Sequence, residues 1–395
     1  MAALDLPRRA LPHTRVPLAW RNLVADKWRL LRSSAGIAFA VLLMLVQLGF
    51  ERAFFDASLA AVRQLDGDLF VMNASKYRFG TRNPFAHREL DTVRAVAGVA
   101  TAAPLYADYQ DLFWSAAGDD KAHLVRVYAF DPDAPPLFLL PDIASQQKLL
   151  APDDTVLVDR RSRRFLGMND AATGKINGQA VRVAGGFVLG PDFMSDGTII
   201  MGDKLYAKLM TAGRERPSGL AIDTAVVKVK SGEDVAAVRQ HLSDALPTGL
   251  MVMTKAQIVD FEREFQAKLS SAAPIFWLGT LVGFAVGTLI CYQIIYTDLS
   301  DRLPQYATLK GIGYETGYLV RSVMSQAALT GLAGYIPAWL LCLAVYRIVG
   351  AIALLPLHMT LRLTAISLVL TLSMCLVAGA LAIRRVIAAD PAEVF

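Results

Sequence analysis

Residues 169–176 read Asn-Asp-Ala-Ala-Thr-Gly-Lys-Ile, the nearest approach in this chain to a nucleotide-binding loop. Such a loop needs GxxxxGK followed by Ser or Thr, so that backbone amides surround the phosphates and the hydroxyl reaches magnesium. Gly174 and Lys175 are in place, but the leading glycine and the hydroxyl are missing, and a β-turn is the expectation. No ATP or magnesium is therefore expected on this chain. The five histidines, His13, His87, His123, His241 and His358, share no ligand spacing, and HExxH does not occur, so no metal site is expected. No GxSxG elbow is present. Carboxylates are plentiful but read as solvated surface, and no catalytic residue is assigned. Residues 184–197, AGGFVLGPDFMSDG, are the most unusual polar-region sequence; turns and a bulge in a hairpin account for them more simply than a binding loop.

What must position any function is a set of four apolar runs. Residues 33–50, 269–297, 322–346 and 363–383 contain no Asp, Glu, Lys or Arg, and each reaches the length a helix needs to cross about 30 Å of hydrocarbon. The first is the shortest and extends through Phe54 and Phe55, with Glu51 and Arg52 at the interface. One such run could be a buried soluble helix, but four in a chain that is 54% hydrophobic predict membrane spans. The first is too long for a signal-peptide core and lacks a clear small-x-small site after it, so it reads as an uncleaved anchor. Gln47, Gln293 and Gln326 are uncharged and suit hydrogen bonds between helices rather than a transport path. Gly279, Gly283 and Gly287 recur every four residues, a small face for helix packing or a dimer seam.

Arg8, Arg9, Arg15, Arg21, Lys27, Arg29 and Arg32 precede the first span, whereas the loop around Leu355 to Thr360 carries no Lys or Arg. The positive-inside rule then places the N-terminus in the cytoplasm, and four spans return the C-terminus there, beside Arg384 and Arg385. The net charge of +5 reflects this anchoring; a nucleic-acid surface would need a basic patch interleaved with stacking aromatics. Cys291, Cys342 and Cys375 all fall in spans, so the polar region has neither a disulfide framework nor a Cys-based metal site.

The expected fold is an α-helical membrane domain of four transmembrane helices with a large mixed α/β extracytoplasmic domain inserted between helices 1 and 2. Residues 1–32 form a cytoplasmic amphipathic segment, 33–55 the first span, 56–268 the outer domain with stalk helices at both ends, and 269–297 the second span. Residues 298–317 form a cytoplasmic loop, 318–348 the third span, 349–361 a short outer loop, 362–383 the fourth span and 384–395 a cytoplasmic tail. Phe54, Phe55, Leu59, Val62 and Leu65 recur at helical spacing after the first span, as do Ile258, Phe261, Phe265 and Leu269 before the second. Two amphipathic stalks are expected, their apolar faces pairing with each other or with a second copy. Between them, strands are expected over residues 68–72, 123–130, 155–158, 180–188 and 198–201. A strand at 225–230, a helix at 233–246 and a strand at 250–253 suggest a βαβ unit. The linker Asp131-Pro-Asp-Ala-Pro-Pro136 is expected to separate two halves.

The inner loop is the most specific sequence. In TDLSDRLPQYATLKGIGYETGYLVRS, residues 297–322, Asp301 can cap a helix that Pro304 enters, and Gly311 and Gly313 can end it. Asp301, Arg302, Pro304, Gln305, Tyr306, Leu309, Lys310, Gly311 and Gly313 make up DRLPQYATLKGIGY, which resembles the signature loop of FtsX/MacB-like ABC permeases, and within them the DevC-type permeases most closely. PLAWRNLVADKWRLLRSSAGIAFAVLLMLVQLGF at 17–50, DTVLVDRRSRRFLG at 154–167 and DPAEVF at 390–395 support it, and the resemblance covers nearly the whole chain.

The resemblance implies a homodimer working with two copies of a separate ABC ATPase, which carries the ATP and magnesium. In DevC-type systems a periplasmic membrane-fusion adaptor and a TolC-like outer-membrane channel complete the machine. It implies that residues 301–313 are the coupling helix docked on the ATPase, that Trp20 to Leu31 lie along the inner surface, and that Asp390, Pro391 and Glu393 add a cytoplasmic contact. ATP-driven closure would pass through the stalks to a periplasmic domain that pushes a lipid, glycolipid or other hydrophobic substrate toward the channel, from a bacterial inner membrane. The chain itself would not be an enzyme. An FtsX-like regulator of cell-wall hydrolases and a LolC-like lipoprotein-release permease share the architecture; the size of the outer domain favours the exporter. A membrane-anchored enzyme is disfavoured for want of a catalytic constellation.

Overall fold

The computed structural model describes residues 27–119, 121–190, 193–211, 221–268, 272–302, 304, 305, 308 and 316–388. Among the described residues, four helices are long and apolar enough to cross a membrane: α1 (Lys27–Gln64), α7 (Ala272–Asp301), α8 (Thr316–Ala353) and α9 (Leu361–Ala388). Leu and Ala dominate α1, and its 38 residues give a length of about 57 Å at 1.5 Å per residue. That is nearly twice the hydrocarbon thickness, so the helix continues beyond its apolar run. The chain divides into two compact units, one holding the described residues up to Leu48 with Trp277–Tyr346 and those from Met359, the other Gly49–Phe276 with Arg347–His358.

In the second unit the strands are β1 (Leu69–Asn73), β2 (Val99–Asp108), β3 (Phe113–Ala116), β4 (His123–Phe130), β5 (Thr155–Asp159), β6 (Thr173–Ile176), β7 (Gln179–Phe187), β8 (Gly197–Gly202), β9 (Thr224–Val229) and β10 (Leu250–Thr254). The helices between α1 and α7 are α2 (His87–Ala95), α3 (Pro141–Gln146), α4 (Asp203–Thr211), α5 (Val235–Ala245) and α6 (Lys255–Lys268). The sheet order is β10-β1-β9-β2-β4-β3-β6-β7-β5-β8, with β4 also paired to β8. That extra pairing closes six strands, β4-β3-β6-β7-β5-β8, into a ring. β2 belongs to both parts: its first residues pair with β9 and Tyr106 to Asp108 pair with β4.

The other part, β10-β1-β9-β2 with α2 and α5, has the split βαβ order of a ferredoxin-like sheet. The expected unit of strand, helix and strand at 224–254 therefore exists, but β1 lies between its two strands, antiparallel to each. Side chains alternate along β1: Leu69 and Val71 enter one buried cluster with α2 and α5, Phe70 and Met72 enter another with the end of α1. A strand buried on both faces reads as a continuous apolar run, as Leu69 to Met72 do.

Three features differ from the sequence expectation. The proline-rich segment 131–136 is no boundary: Leu137 and Phe138 just after it are buried in the α1 cluster, and Asp66 donates its N–H to the Leu137 carbonyl. Apolar side chains after the prolines outweigh the linker-like composition. Gly174 and Lys175 lie in β6 rather than in a turn; the turn is Asn177-Gly178, whose φ values of 46° and 86° suit a two-residue hairpin between β6 and β7. Residues 184–197 do contain a bulge, at Ala184, but β7 and β8 flank β5 and do not pair as a hairpin.

Candidate coupling and transmission site

The inner loop is anchored where it leaves the second span. Arg302 Nε lies 3.3 Å from Asp298 Oδ1, both side chains largely buried, and Gln326 of α8 donates to Asp298 Oδ2. This bond ties α7 to α8 directly above the loop. Asp301 is the last residue of α7, and the Asp298–Arg302 pair at i,i+4 holds that final turn helical. Pro304 and Gln305 are helical and exposed, and Gln305 donates its N–H to the Arg302 carbonyl. Tyr306, Leu309, Lys310, Gly311 and Gly313 lie outside the described residues, as do Asp390, Pro391 and Glu393 and most of the N-terminal segment.

Gly279, Gly283 and Gly287 face α1 within the chain. A Cβ on Gly287 would stand 3.0 Å from that of Ala40 and 2.1 Å from Met374 Sδ of α9; on Gly283 it would meet Met44, and on Gly279 the Gln47 amide. The stripe is thus a close seam between antiparallel helices α1 and α7.

Among the stalk residues, Leu59, Val62 and Ile258 are buried, while Phe55, Phe261 and Phe265 are half-buried. Val62 and Ile258 meet in one cluster with Leu65. On α6 the buried stripe is Ile258, Glu262 and Gln266 rather than Ile258, Phe261 and Phe265. Glu262 can be buried because its carboxylate accepts the Phe79 N–H at 2.9 Å and the Gln266 side-chain amide at 3.3 Å. Phe265 instead covers Tyr77, ring centroids 5.8 Å apart, and the Arg78 guanidinium at 5.4 Å.

These elements match known proteins in the same order along the chain. The FtsX-like permease C-terminal domain matches residues 275–391, and the MacB-like periplasmic core domain matches residues 33–245. The chain belongs to the FtsX/MacB-like family of ABC transporter permeases. Uncharacterized ABC transporter permeases of Mycobacterium bovis and Mycobacterium tuberculosis are 23% identical over 363 residues, 92% of this chain and 93% of theirs. The extracellular domain of the noncanonic ABC-type transporter YknZ from Gram-positive bacteria aligns over 48% of this chain and 99% of its own, at 11% identity and a TM-score of 0.30. A permease of this family has its ATPase activity on a separate subunit.

The permease also holds a buried charge cluster that motif reading missed. Lys76, Arg78 and Arg82 lie in one loop after β1. Lys76 Nζ donates to the Asp223 backbone carbonyl at 2.9 Å, Arg78 sits 5.1 Å from the Tyr109 ring centre, and Arg82 lies over Tyr206 at 5.9 Å. The signal in the sequence was KYRFGTR, three cations alternating with aromatic and small residues. The loop is joined to α6 through Glu262 and Phe265, so it links the second stalk to the sheet. Burial pushes the Asp223 carboxyl up to about 6, against the pull of Lys76 and Arg82. Burial lowers the Lys76 ammonium to about 8, opposed by Asp223 and Glu262.

The folded permease thus holds a proton on Asp223 between pH of about 4 and 6 that the unfolded chain has lost. Stability from this group is present at the low end and falls as pH rises through that window, by roughly 2–3 kcal/mol in all. Asp223→Asn is expected to flatten this slope. Thermal unfolding of the purified permease and the variant, compared from pH 4.5 to 7.5, reads the difference directly; parallel profiles would refute the assignment. Lys76 acts in the opposite sense, adding stability as pH climbs from about 8 toward 10.5.

Proposed function

We propose that this permease is the membrane subunit of an ATP-driven tripartite exporter. Its observation is the helix α1, which runs unbroken from the first apolar span into the buried cluster of the outer domain at Ala61, Val62 and Leu65. A continuous helix with a packed end transmits displacement better than a loop would. In this reading the termini are cytoplasmic, the α/β domain is inserted between the first two spans on the periplasmic side of a bacterial inner membrane, and two copies form a homodimer. The ABC ATPase docks on residues 301–313, including Tyr306, Leu309 and Lys310. Its closure moves α1 and α6, and the domain drives a lipid, glycolipid or other hydrophobic substrate through a membrane-fusion adaptor toward a TolC-like channel. Charge-free stretches in all four spans suit a route that avoids the bilayer core.

Tyr306→Asp and Leu309→Asp are expected to abolish permease-dependent stimulation of ATP hydrolysis while leaving the protein in the membrane. A new charge at an apolar docking contact costs several kcal/mol, enough to lower complex formation by more than 100-fold. Persistence of stimulated hydrolysis and export in both variants would remove the docking assignment. Purification of the complex from native membrane separates the exporter from its relatives: an adaptor and channel support it, whereas a bound cell-wall hydrolase or lipoprotein chaperone redirects the function.

A further inference from the structure

Two loops of the outer domain form a surface that neither coupling nor export has used. Asp159, at the end of β5, is buried, and its carboxylate accepts backbone N–H groups from Arg161 at 3.0 Å, Leu189 at 3.3 Å and Gly190 at 2.8 Å. Arg160 donates its N–H to the Phe187 carbonyl and Arg163 to that of Asp196. The loop after β5 is thereby laced to the loop after β7.

The second loop reaches the first spanning helix. The Phe193 ring packs on Phe54 with centroids 5.3 Å apart, and Phe54 lies 5.7 Å from Phe276. Phe276 is inside the charge-free run of α7, and the charge-free run of α1 ends at Phe50. Phe54 is one helical turn, about 6 Å, beyond it. The polar layer of a bilayer is about 5–8 Å deep on each side, so a hydrocarbon boundary at the end of the charge-free run would put Phe193 at headgroup depth.

The two laced loops carry exposed apolar side chains. Met194 and Phe165 are each 55% exposed and Val188 is 39% exposed. The described acids nearby are engaged: Asp170 pairs with Arg160 at 3.5 Å, and Asp196 with Arg163 at 3.1 Å and His123 at 3.4 Å. Arg161 and Arg164 are exposed, with no ion pair among the described residues. Arginine forks match phosphate oxygens, and aromatic and apolar side chains settle at the membrane interface.

We infer that these two loops dock on the bilayer surface and bind the headgroup of an anionic phospholipid, Arg161 and Arg164 meeting the phosphate while Phe165 and Met194 enter the acyl boundary. The inference requires only that α1 and α7 cross the bilayer, so it stands or falls separately from the exporter assignment.

The test uses full-length permease in vesicles, with Cys291, Cys342 and Cys375 replaced by alanine and an environment-sensitive fluorophore on Phe165→Cys or Met194→Cys. Leu139→Cys is the control: Leu139 is 51% exposed, and its N–H bonds the Gln64 carbonyl, ten residues or about 15 Å farther along α1 than Phe54. Nitroxide-bearing lipid should quench the probes at 165 and 194 well beyond the control. Quenching should be stronger in phosphatidylcholine vesicles containing phosphatidylglycerol than in phosphatidylcholine alone, and should weaken with added salt. Arg161→Ser with Arg164→Ser should lower the docked-to-undocked ratio in the anionic vesicles, by about five-fold per arginine. Quenching no greater than at Leu139→Cys overturns the docking. Quenching indifferent to phosphatidylglycerol, salt and both arginines overturns the anionic-lipid site; the salt series, read on the chain with its arginines intact, decides this even if the double variant fails to fold.

Discussion

Leucine at Gly287 is expected to prevent assembly of the four spanning helices. Its Cβ alone would lie 2.1 Å from Met374 Sδ and 3.0 Å from Ala40 Cβ, and three further carbons have no space between α1, α7 and α9. Overpacking a well-packed core by extra methylenes costs about 1–3 kcal/mol, and a whole isobutyl group in a closed helix seam lies at or above the top of that range. The thioether of Met374 is flexible while Ala40 is not, which makes the effect divisible. Gly287→Ala should lower the thermal midpoint of detergent-solubilised protein, and adding Met374→Ala should restore part of it. If Gly287→Leu yields folded protein with an unchanged midpoint, the seam is not where the packing places it.

Trp114→Ala should be the most damaging single truncation in the α/β unit. The indole is fully buried inside the ring of six strands, among Val125, Leu166, Ile176 and Val181, and donates its Nε1–H to the Leu166 carbonyl at 2.8 Å. Removing a buried Trp costs about 3–5 kcal/mol, and the orphaned carbonyl adds to it. Trp114→Phe keeps most of the apolar area and loses the hydrogen bond, so it should cost about 1–2 kcal/mol. Hydrogen exchange of β5 to β8 in the intact chain would rank the three proteins; equal protection in all would show that Trp114 bears no weight in the ring.

How much of this was legible along the chain follows from the range of the forces involved. Strand β4 is found at residues 123–130 as expected, because HLVRVYAF is β-branched and aromatic and bounded by turn formers. Strands β2, β3 and β6 carry weaker signals: VATAAPLYAD is diluted with alanine, and FWSA and TGKI are short. Asn177-Gly178 carries the sequence signal of a two-residue hairpin, whereas Gly174 and Lys175 imitate the end of a phosphate-binding loop without its other residues. On α6 the aromatic residues suggested the buried stripe. Hydropathy could not reveal that Glu262 would find the Phe79 amide, and with that partner the polar face turns inward.

The sequence by itself determined the four spanning helices, the long polar stretch between the first two and the family to which the inner loop belongs. Those depend on residue-by-residue transfer energies and on a contiguous motif. Only the tertiary structure decided that the glycine stripe of α7 is filled by Ala40, Met44 and Gln47, that β4 meets β8 to close the ring, and that the Arg-rich loop after β5 lies laced to the loop carrying Phe193. Each of these joins segments tens to hundreds of residues apart. Such choices are made by shape and hydrogen-bond satisfaction, which have no period along the chain.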